Sequence, residues 1–241
     1  MAKGYTLIVG ADSDIGCGLM REIDEKIIAH YYGFEDKIKA LKSEGKEIVD
    51  IWGDLSDVEG IKGFIEKIEE LPYDIDKIVH LPSSQVVAKR MSKFDGEAFL
   101  RDVNIQATSA GMIFANLLPK MAKRKFGRVA AVLTSYCIGV PPKFIANYVA
   151  SKYALLGLLK SAAVEYAGKG ITVNAVAPSM TETKFLDNLP QFEIEANAKA
   201  NPMGRNAAIE DVVFSLKWLI SDECEFMTGA IIPVTGGSNF Y

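Results

Sequence analysis

Short, β-branched apolar runs alternate along this sequence with longer segments that have helical spacing. The helical segments cover residues 36–43, 58–71, 95–125, 147–168 and 209–221, and the apolar runs cover residues 5–11, 26–32, 47–52, 77–81, 128–135, 171–177 and 231–234. Nearly continuous apolar runs of this length are typical of strands that are buried on both faces of a parallel sheet. The alternation predicts right-handed βαβ crossovers and an α/β fold with a doubly wound, parallel seven-stranded sheet. Nothing in the sequence divides residues 1–241, so a single domain is expected.

Composition excludes several classes of function. The formal net charge of −4 argues against a general nucleic-acid-binding protein, because such proteins are usually basic. The three cysteines form no C-x-x-C pair and only two histidines are present, so no metal site is predicted. No apolar stretch reaches membrane-spanning length, and the first apolar run is too short for a signal-peptide core. We therefore expect a cytoplasmic protein that binds neither a membrane nor nucleic acid.

A glycine-rich loop follows the first predicted strand, and its candidate cofactor-binding residues are Gly10, Ser13, Asp14, Ile15 and Gly16. Glycines at a strand-to-helix turn let the backbone approach a pyrophosphate, which the positive helix N-terminus then holds. This is the arrangement of Rossmann-type nucleotide-binding folds. Asp14 has two interpretations: it caps the helix, or its charge repels the cofactor phosphates.

Three polar residues form a candidate catalytic group. Tyr148 and Lys152 are four residues apart, so on a helix they share a face, and Ser135 ends the predicted fifth strand, thirteen residues before the tyrosine. Reduction of a ketone needs a hydride from a nicotinamide and a proton for the alkoxide that forms. A free tyrosine, with a pKa of about 10, exchanges protons poorly at neutral pH, and a nearby ammonium group lowers that pKa. The serine hydroxyl can hold the carbonyl oxygen, so these three residue types have the groups that reduction of a carbonyl requires.

The loop and the Ser135…Tyr148-x-x-x-Lys152 pattern resemble those of the short-chain dehydrogenase/reductase family, and the resemblance extends over residues 5–237. It implies an NAD(P)H-dependent oxidoreductase that reduces a ketone to a secondary alcohol with the tyrosine as acid and base. In that family an asparagine at the place of Asn104 holds a water that reprotonates the lysine. The cofactor contacts that the resemblance implies beyond the loop are Asp54, Leu55, Tyr148, Lys152, Pro178 and Thr183.

Three departures from the family pattern leave an alternative open. Asp14 replaces the middle glycine of the loop, residues 80–83 read His-Leu-Pro-Ser where the family has Asn-Asn-Ala-Gly, and Ser179 replaces a glycine. A catalytically impaired Rossmann module that binds a partner or metabolite would show such changes. An interpretation of Asp54 as a helix cap is also open. A reductase of a sugar or cyclitol ketone is a further alternative, since the sequence does not resolve the substrate pocket.

The second predicted strand favours NADP(H) over NAD(H). NAD enzymes usually carry an acidic residue at the end of this strand, where it binds the ribose 2′-hydroxyl. The strand ends Ala-His-Tyr-Tyr-Gly at residues 29–33, without an acid, and Lys37 follows as a possible partner of a 2′-phosphate.

The pattern is most similar to that of 3-oxoacyl-[acyl-carrier-protein] reductases, which implies a ketone or acyl thioester substrate and an acyl carrier protein as partner. Lys125 and Lys169 are the basic residues at the places where such enzymes contact the carrier, although a solvated helix end explains the cations equally. Residues 182–201 are predicted to be a mobile substrate lid with apolar side chains. The segment at residues 154–159 is apolar nearly all round and must be buried, which favours a homodimer or homotetramer.

Overall fold

The seven apolar runs form one sheet in the computed structural model, which describes residues 4–239. Every neighbouring pair of strands is parallel, in the order β3-β2-β1-β4-β5-β6-β7. The strands are β1 Tyr5–Val9, β2 Ile27–Tyr31, β3 Ile48–Trp52, β4 Ile75–His80, β5 Gly127–Val132, β6 Ile171–Pro178 and β7 Ile231–Val234. The predicted α/β fold with a doubly wound parallel seven-stranded sheet is therefore confirmed, with strand ends that differ from the prediction by up to three residues.

Helices cover both faces of the sheet. They are α1 Asp14–Glu22, α2 Glu35–Ser43, α3 Val58–Glu69, α4 Gly96–Val103, α5 Ser109–Arg124, α6 Ala146–Tyr166, α7 Gln191–Ala200 and α8 Ile209–Leu219. Buried side chains of α3, α5 and α6 form one apolar layer, and those of α1, α2 and α8 form the other. Because apolar layers cover both faces, the central strands are apolar at nearly every position.

The strand order fixes where a ligand can bind. The chain moves outwards from β1 to β3 and then returns to the other side of β1 with β4. Helices from opposite faces diverge at this reversal, which opens a crevice at the carboxyl ends of β1 and β4. Val9 pairs with His80 at that edge, so the glycine-rich loop and residues 80–83 lie side by side.

The long helix predicted over residues 95–125 is present and changes its winding in the middle. A five-residue π-helical segment, Asn104–Thr108, separates α4 from α5, and the N–H of Ser109 donates to the carbonyl of Asn104. A π segment accommodates extra residues without ending a helix and often marks a functional site. Within the predicted lid, residues 191–200 form α7. None of the helices formed by residues 4–239 has the length and apolar character needed to cross a membrane.

Candidate active site

Tyr148 and Lys152 lie on the first two turns of α6, as the spacing predicts. Lys152 is only 1% exposed, and its Nζ donates a hydrogen bond of 2.9 Å to the carbonyl oxygen of Val132, the last residue of β5. The same Nζ lies 6.0 Å from the centroid of the Tyr148 ring. Burial lowers the pKa of Lys152 to about 8, because an ammonium group is poorly solvated inside the protein. The lysine can therefore gain and lose a proton near neutral pH.

The Tyr148 phenol is held in its neutral form. Burial raises the pKa of Tyr148 to about 12, and a hydrogen bond with the Thr134 side chain acts in the opposite direction. The Phe185 ring of the lid lies 6.2 Å from the Tyr148 ring, measured between centroids, so the lid approaches the phenol from outside. A neutral phenol is the form that can give a proton to a forming alkoxide.

Thr134 and Ser135 are adjacent hydroxyl residues just after β5, and the Thr134 side chain hydrogen-bonds Tyr148. Ser135 is buried in the short turn that follows β5, and its carbonyl accepts the N–H groups of Ile138 and Gly139. Thr134 begins the same turn and, of the two hydroxyl residues, is the one that contacts Tyr148. The sequence analysis singled out Ser135 and missed Thr134. Two adjacent hydroxyl residues at a strand end were the available signal.

Asn104 lies in the π segment, against which α6 packs. Its amide Nδ2 donates to the carbonyl of Ser56 at 3.1 Å. His80 is a buried residue that lies near Lys152. Burial and the Lys152 charge lower the pKa of His80 to about 3. Its Nε2 donates to the carbonyl of Gln106 at 3.0 Å. His80 is therefore neutral and lines the site. From the sequence, this position was noted only as a departure from the family's Asn-Asn-Ala-Gly pattern.

The glycine-rich loop has the backbone geometry that its sequence predicts. Gly10 has a positive φ of 76°, which favours glycine. A Cβ on Gly16 would lie 2.6 Å from the carbonyl oxygen of Ala11, so the close turn requires a glycine there as well. Ser13 is the N-cap of α1, and its Oγ accepts the N–H of Gly16 at 3.0 Å. The interpretation of Asp14 as the cap is therefore wrong, because Asp14 is the first residue inside the helix.

The Asp14 carboxylate turns away from the loop towards the lid. Its Oδ2 accepts the backbone N–H of Lys184 at 2.7 Å, and its Oδ1 pairs with Lys37 Nζ at 2.9 Å. Burial raises the pKa of Asp14, but the hydrogen bonds from Lys184 and Lys37 outweigh this and hold the pKa below its usual range. The charge is therefore neutralised at the loop by Lys37.

A buried histidine fixes the loop to the sheet. His30 Nδ1 accepts the N–H of Gly10 at 3.0 Å, and Nε2 lies 3.1 Å from the carbonyl oxygen of Gly53, so the ring donates there. Burial lowers the pKa of His30 to about 4, which keeps the imidazole neutral, as this pair of bonds requires. The ends of β1, β2 and β3 are thereby held together. This role of His30 could not be predicted from the sequence, because both partners are distant in the chain.

The remaining predicted contacts lie along the same edge. Leu55 is buried, and Asp54 Oδ1 accepts the N–H of Ser56 at 2.8 Å. Asp57, not Asp54, caps α3, so the interpretation of Asp54 as a cap is wrong. Pro178 ends β6. Thr183 lies near the start of the lid segment, and its Oγ1 is 3.4 Å from the carbonyl oxygen of Thr181.

These residues fit a dinucleotide. The N–H groups of Asp14 and Ile15 take no hydrogen-bond acceptor from residues 4–239, and they lie at the positive N-terminus of α1. The two glycines let a phosphate approach them, and Thr183 lines one cleft together with Asp14. Among the described residues no group of three or more His, Cys, Asp or Glu side chains is placed to hold a metal ion.

Known proteins are similar to this chain over nearly its whole length. A family model described as enoyl-(acyl carrier protein) reductase matches residues 16–239. The chain is 31% identical over 236 residues to the 3-oxoacyl-[acyl-carrier-protein] reductase FabG of Rickettsia conorii, which covers 96% of this chain and 95% of the relative. The chain therefore belongs to the short-chain dehydrogenase/reductase family and is an NAD(P)-dependent oxidoreductase. The predictions of family and enzyme class are confirmed.

Solved structures of related proteins contain either nicotinamide cofactor. The 3-oxoacyl (acyl-carrier-protein) reductase from Agrobacterium tumefaciens C58, with NADP bound, has a TM-score of 0.88 and 25% identity, covering 97% of this chain and 93% of that one. A 3-oxoacyl-[acyl-carrier protein] reductase from Brucella melitensis, with bound NAD, has a TM-score of 0.87 and 24% identity, covering 99% and 92%. These neighbours support an NAD(P) site and leave the preference between the two cofactors undecided.

Proposed function

We propose that this protein reduces a ketone to a secondary alcohol with Tyr148 as the proton donor. The observation that carries the proposal is the pairing on α6 of a neutral, partly buried phenol with a buried lysine whose pKa is lowered to about 8. A nicotinamide cofactor bound at the glycine-rich loop supplies the hydride. The phenol then gives its proton to the carbonyl oxygen, and the Thr134 or Ser135 hydroxyl holds that oxygen in place.

Lys152 has two tasks in this proposal. Its ammonium form stabilises the tyrosinate that remains after proton transfer, which brings the Tyr148 pKa down during turnover. Because its own pKa is near neutrality, it can also pass a proton from solvent to the phenol. Asn104 is proposed to hold a water on this route. The proposed cofactor contacts are Gly10, Ser13, Asp14, Ile15, Gly16, Asp54, Leu55, Tyr148, Lys152, Pro178 and Thr183.

The experiment that tests the proposal is an NAD(P)H oxidation assay with a short 3-oxoacyl thioester. Tyr148→Phe removes only the hydroxyl, so we expect an unchanged fold and a fall in kcat of at least about a hundredfold. Tyr166→Phe is the matched control, because Tyr166 ends the same helix far from the crevice. Binding of neither cofactor to the wild-type protein would instead favour the impaired binding module.

The substrate is proposed to be a 3-oxoacyl thioester. The lid and Asp14 line a cleft of about 690 Å³ whose side chains are mixed. Leu186, Leu189 and Ile194 are its apolar residues, and Glu182, Lys184 and Asp187 are charged. Such a lining suits a substrate that has both an apolar chain and polar groups, as a 3-oxoacyl thioester has. The Rickettsia conorii relative, a 3-oxoacyl-[acyl-carrier-protein] reductase by name, supports the same class of substrate.

An acyl carrier protein is the proposed donor of that thioester. Lys125 and Lys169 are both exposed, and they are neighbours because the carbonyl of Lys125 abuts Gly170. They lie at the amino ends of β5 and β6, which is the opposite edge of the sheet from Tyr148. A carrier that docks on these lysines must therefore deliver its acyl group around the edge of the molecule or to a second copy of the chain.

The preference for NADP(H) expected from the sequence depended on Lys37. In the structure Lys37 Nζ bonds to the carboxylate of Asp14 and, at 3.0 Å, to the carbonyl oxygen of Asp12. Both partners belong to the glycine-rich loop. The cation is therefore already satisfied within the protein, so Lys37 no longer supports the preference for NADP(H) that was expected from the sequence.

A homodimer or homotetramer is proposed from the outer surface. Val164 on α6 is 84% exposed, and Phe214 on α8 is 76% exposed. Large apolar side chains that are exposed on regular helices commonly mark contact surfaces. The two helices lie on opposite faces of the sheet.

A further inference from the structure

The Asp12 carboxylate accepts hydrogen bonds from consecutive backbone N–H groups just after the end of β2. Its Oδ2 accepts hydrogen bonds from Tyr32, Gly33 and Phe34, at 3.3, 3.0 and 3.1 Å. Successive N–H groups that point to one place form an anion-binding nest. Asp12 belongs to the glycine-rich loop, yet it reaches this nest about twenty residues further along the chain.

The end of β2 is where dinucleotide-binding folds distinguish the two nicotinamide cofactors. An acidic residue about twenty positions after the loop bonds the ribose 2′-hydroxyl of NAD, whereas a cation accommodates the 2′-phosphate of NADP. No acid stands at residues 29–33. The fold supplies one all the same, because Asp12 brings its carboxylate to this place from the neighbouring strand end.

We propose that Asp12 makes this protein select NAD(H) over NADP(H), an inference that rests on the proposed oxidoreductase function. The hydrogen bonds of the Asp12 carboxylate use Oδ2, and no residue among 4–239 is seen to donate to Oδ1. A ribose 2′-hydroxyl can therefore donate to Oδ1. The carboxylate already occupies the nest, and its negative charge would repel the 2′-phosphate of NADP.

The nearby cations do not reverse this selection. Lys37 is bound to the loop through Asp14 and the carbonyl of Asp12, and its Nζ lies 5.0 Å from the Phe34 ring centroid. Lys184 Nζ lies on the same ring, 5.9 Å from its centroid. A 2′-phosphate would have to displace Asp12 from three donors before it could use the nest. The free energy lost with these three hydrogen bonds is larger than the free energy that one new ion pair contributes at a partly exposed site.

Fluorescence titration of the purified protein with NADH and with NADPH tests the inference, and it needs no substrate. We expect NADH to bind at least about tenfold more tightly than NADPH. Calorimetric titration with 5′-ADP and with 2′,5′-ADP isolates the 2′ position from the nicotinamide half, and the same order is expected.

Two substitutions separate the charge of Asp12 from its hydrogen bonds. Asp12→Asn keeps an oxygen acceptor in the nest, and Asp12→Ser opens the nest. We expect NADPH binding to tighten about tenfold in the serine variant, with a smaller gain in the asparagine variant, while NADH binding weakens in both. Asp36→Ser is the matched control, because Asp36 is an exposed acid in the first turn of α2 for which no contact with the nest is seen. Far-ultraviolet circular dichroism confirms that the variants fold.

The outcomes are distinct. Tighter binding of NADPH than of NADH by the wild-type protein would overturn the selection by Asp12 and leave the oxidoreductase function standing. An unchanged preference in Asp12→Ser, with the fold intact, would overturn it equally. Failure of both cofactors to bind would overturn the proposed function and this inference together.

Discussion

Lys152 shows how one buried group can couple stability to pH. An ammonium group in the folded protein is disfavoured by burial, which lowers its pKa from 10.5 to about 8. Between these values the unfolded chain binds a proton that the folded chain does not. The free energy of unfolding therefore rises with pH across this window, and the contribution is lost as the pH falls through about 8.

Lys152→Met should remove this dependence. A methionine fills a similar volume without a charge, so the free energy of unfolding of the wild-type protein should gain about 2 kcal/mol relative to the variant between pH 7 and pH 9.5. Urea unfolding of both proteins without cofactor, at the two pH values, measures the difference. The lost hydrogen bond to Val132 shifts the variant equally at both values. If the free energies of unfolding of the two proteins differ by the same amount at both pH values, folding does not lower the pKa of Lys152.

Several site residues could be predicted from the sequence because their signals are local. The spacing of Tyr148 and Lys152 within one helix and the glycines of a single turn depend on neighbours in the chain. Asp12, His30 and Thr134 carry no such signal. Asp12 bonds backbone groups twenty residues away, and His30 joins the ends of three strands. Such contacts follow from which strands are adjacent, which only the folded sheet determines.

At the scale of the elements, the lid is tied to the glycine-rich loop by one charged hydrogen bond. Residues 191–200 of the lid form α7, in which no side chain is fully buried. The bond from the Lys184 N–H to Asp14 joins residues 170 positions apart. An element with so little buried surface is held mainly by such contacts, so its opening is expected to cost little.

Asp14→Ala should loosen the lid without unfolding the protein. We expect the amide hydrogens of residues 183–187 to exchange at least about tenfold faster, because a charge-assisted hydrogen bond is lost. Hydrogen exchange with mass spectrometry measures this segment. Lys37→Ala is the matched control: it removes the other partner of Asp14 and leaves the bond to the lid. Equal acceleration in both variants would assign the effect to the ion pair instead.

The helices show where periodicity fails as a predictor. The sequence over residues 95–125 has helical spacing throughout, and the structure inserts the π segment Asn104–Thr108 within it. Extra residues in a π segment shift the helical phase without changing the local residue types. The apolar pattern therefore predicts that a helix exists, but it does not show where the helix changes its winding.

At the scale of the whole molecule, exposed apolar side chains lie on helices of both faces of the sheet. Phe214 and Trp218 are exposed on α8, with Phe226 in the loop after it, and Leu158 and Val164 are exposed on α6. We treat these two groups as the α8 patch and the α6 patch. The sheet separates the two helices, so one interface cannot cover both patches. Two independent self-complementary interfaces generate a tetramer with dihedral symmetry, whereas one generates a dimer.

Charged substitutions should therefore dissociate the assembly in steps. We expect the wild-type protein to sediment as a tetramer, Phe214→Glu with Phe226→Glu to sediment as a dimer, and Val164→Glu alone to do the same. The triple variant should be a monomer, because a buried unpaired carboxylate disrupts each interface. Glu210→Lys, which changes an exposed charge at the start of α8, should stay tetrameric. Sedimentation equilibrium distinguishes these states. A wild-type monomer would show that the patches serve another purpose, and a dimer lost by only one of the substitutions would identify the single interface that the protein uses.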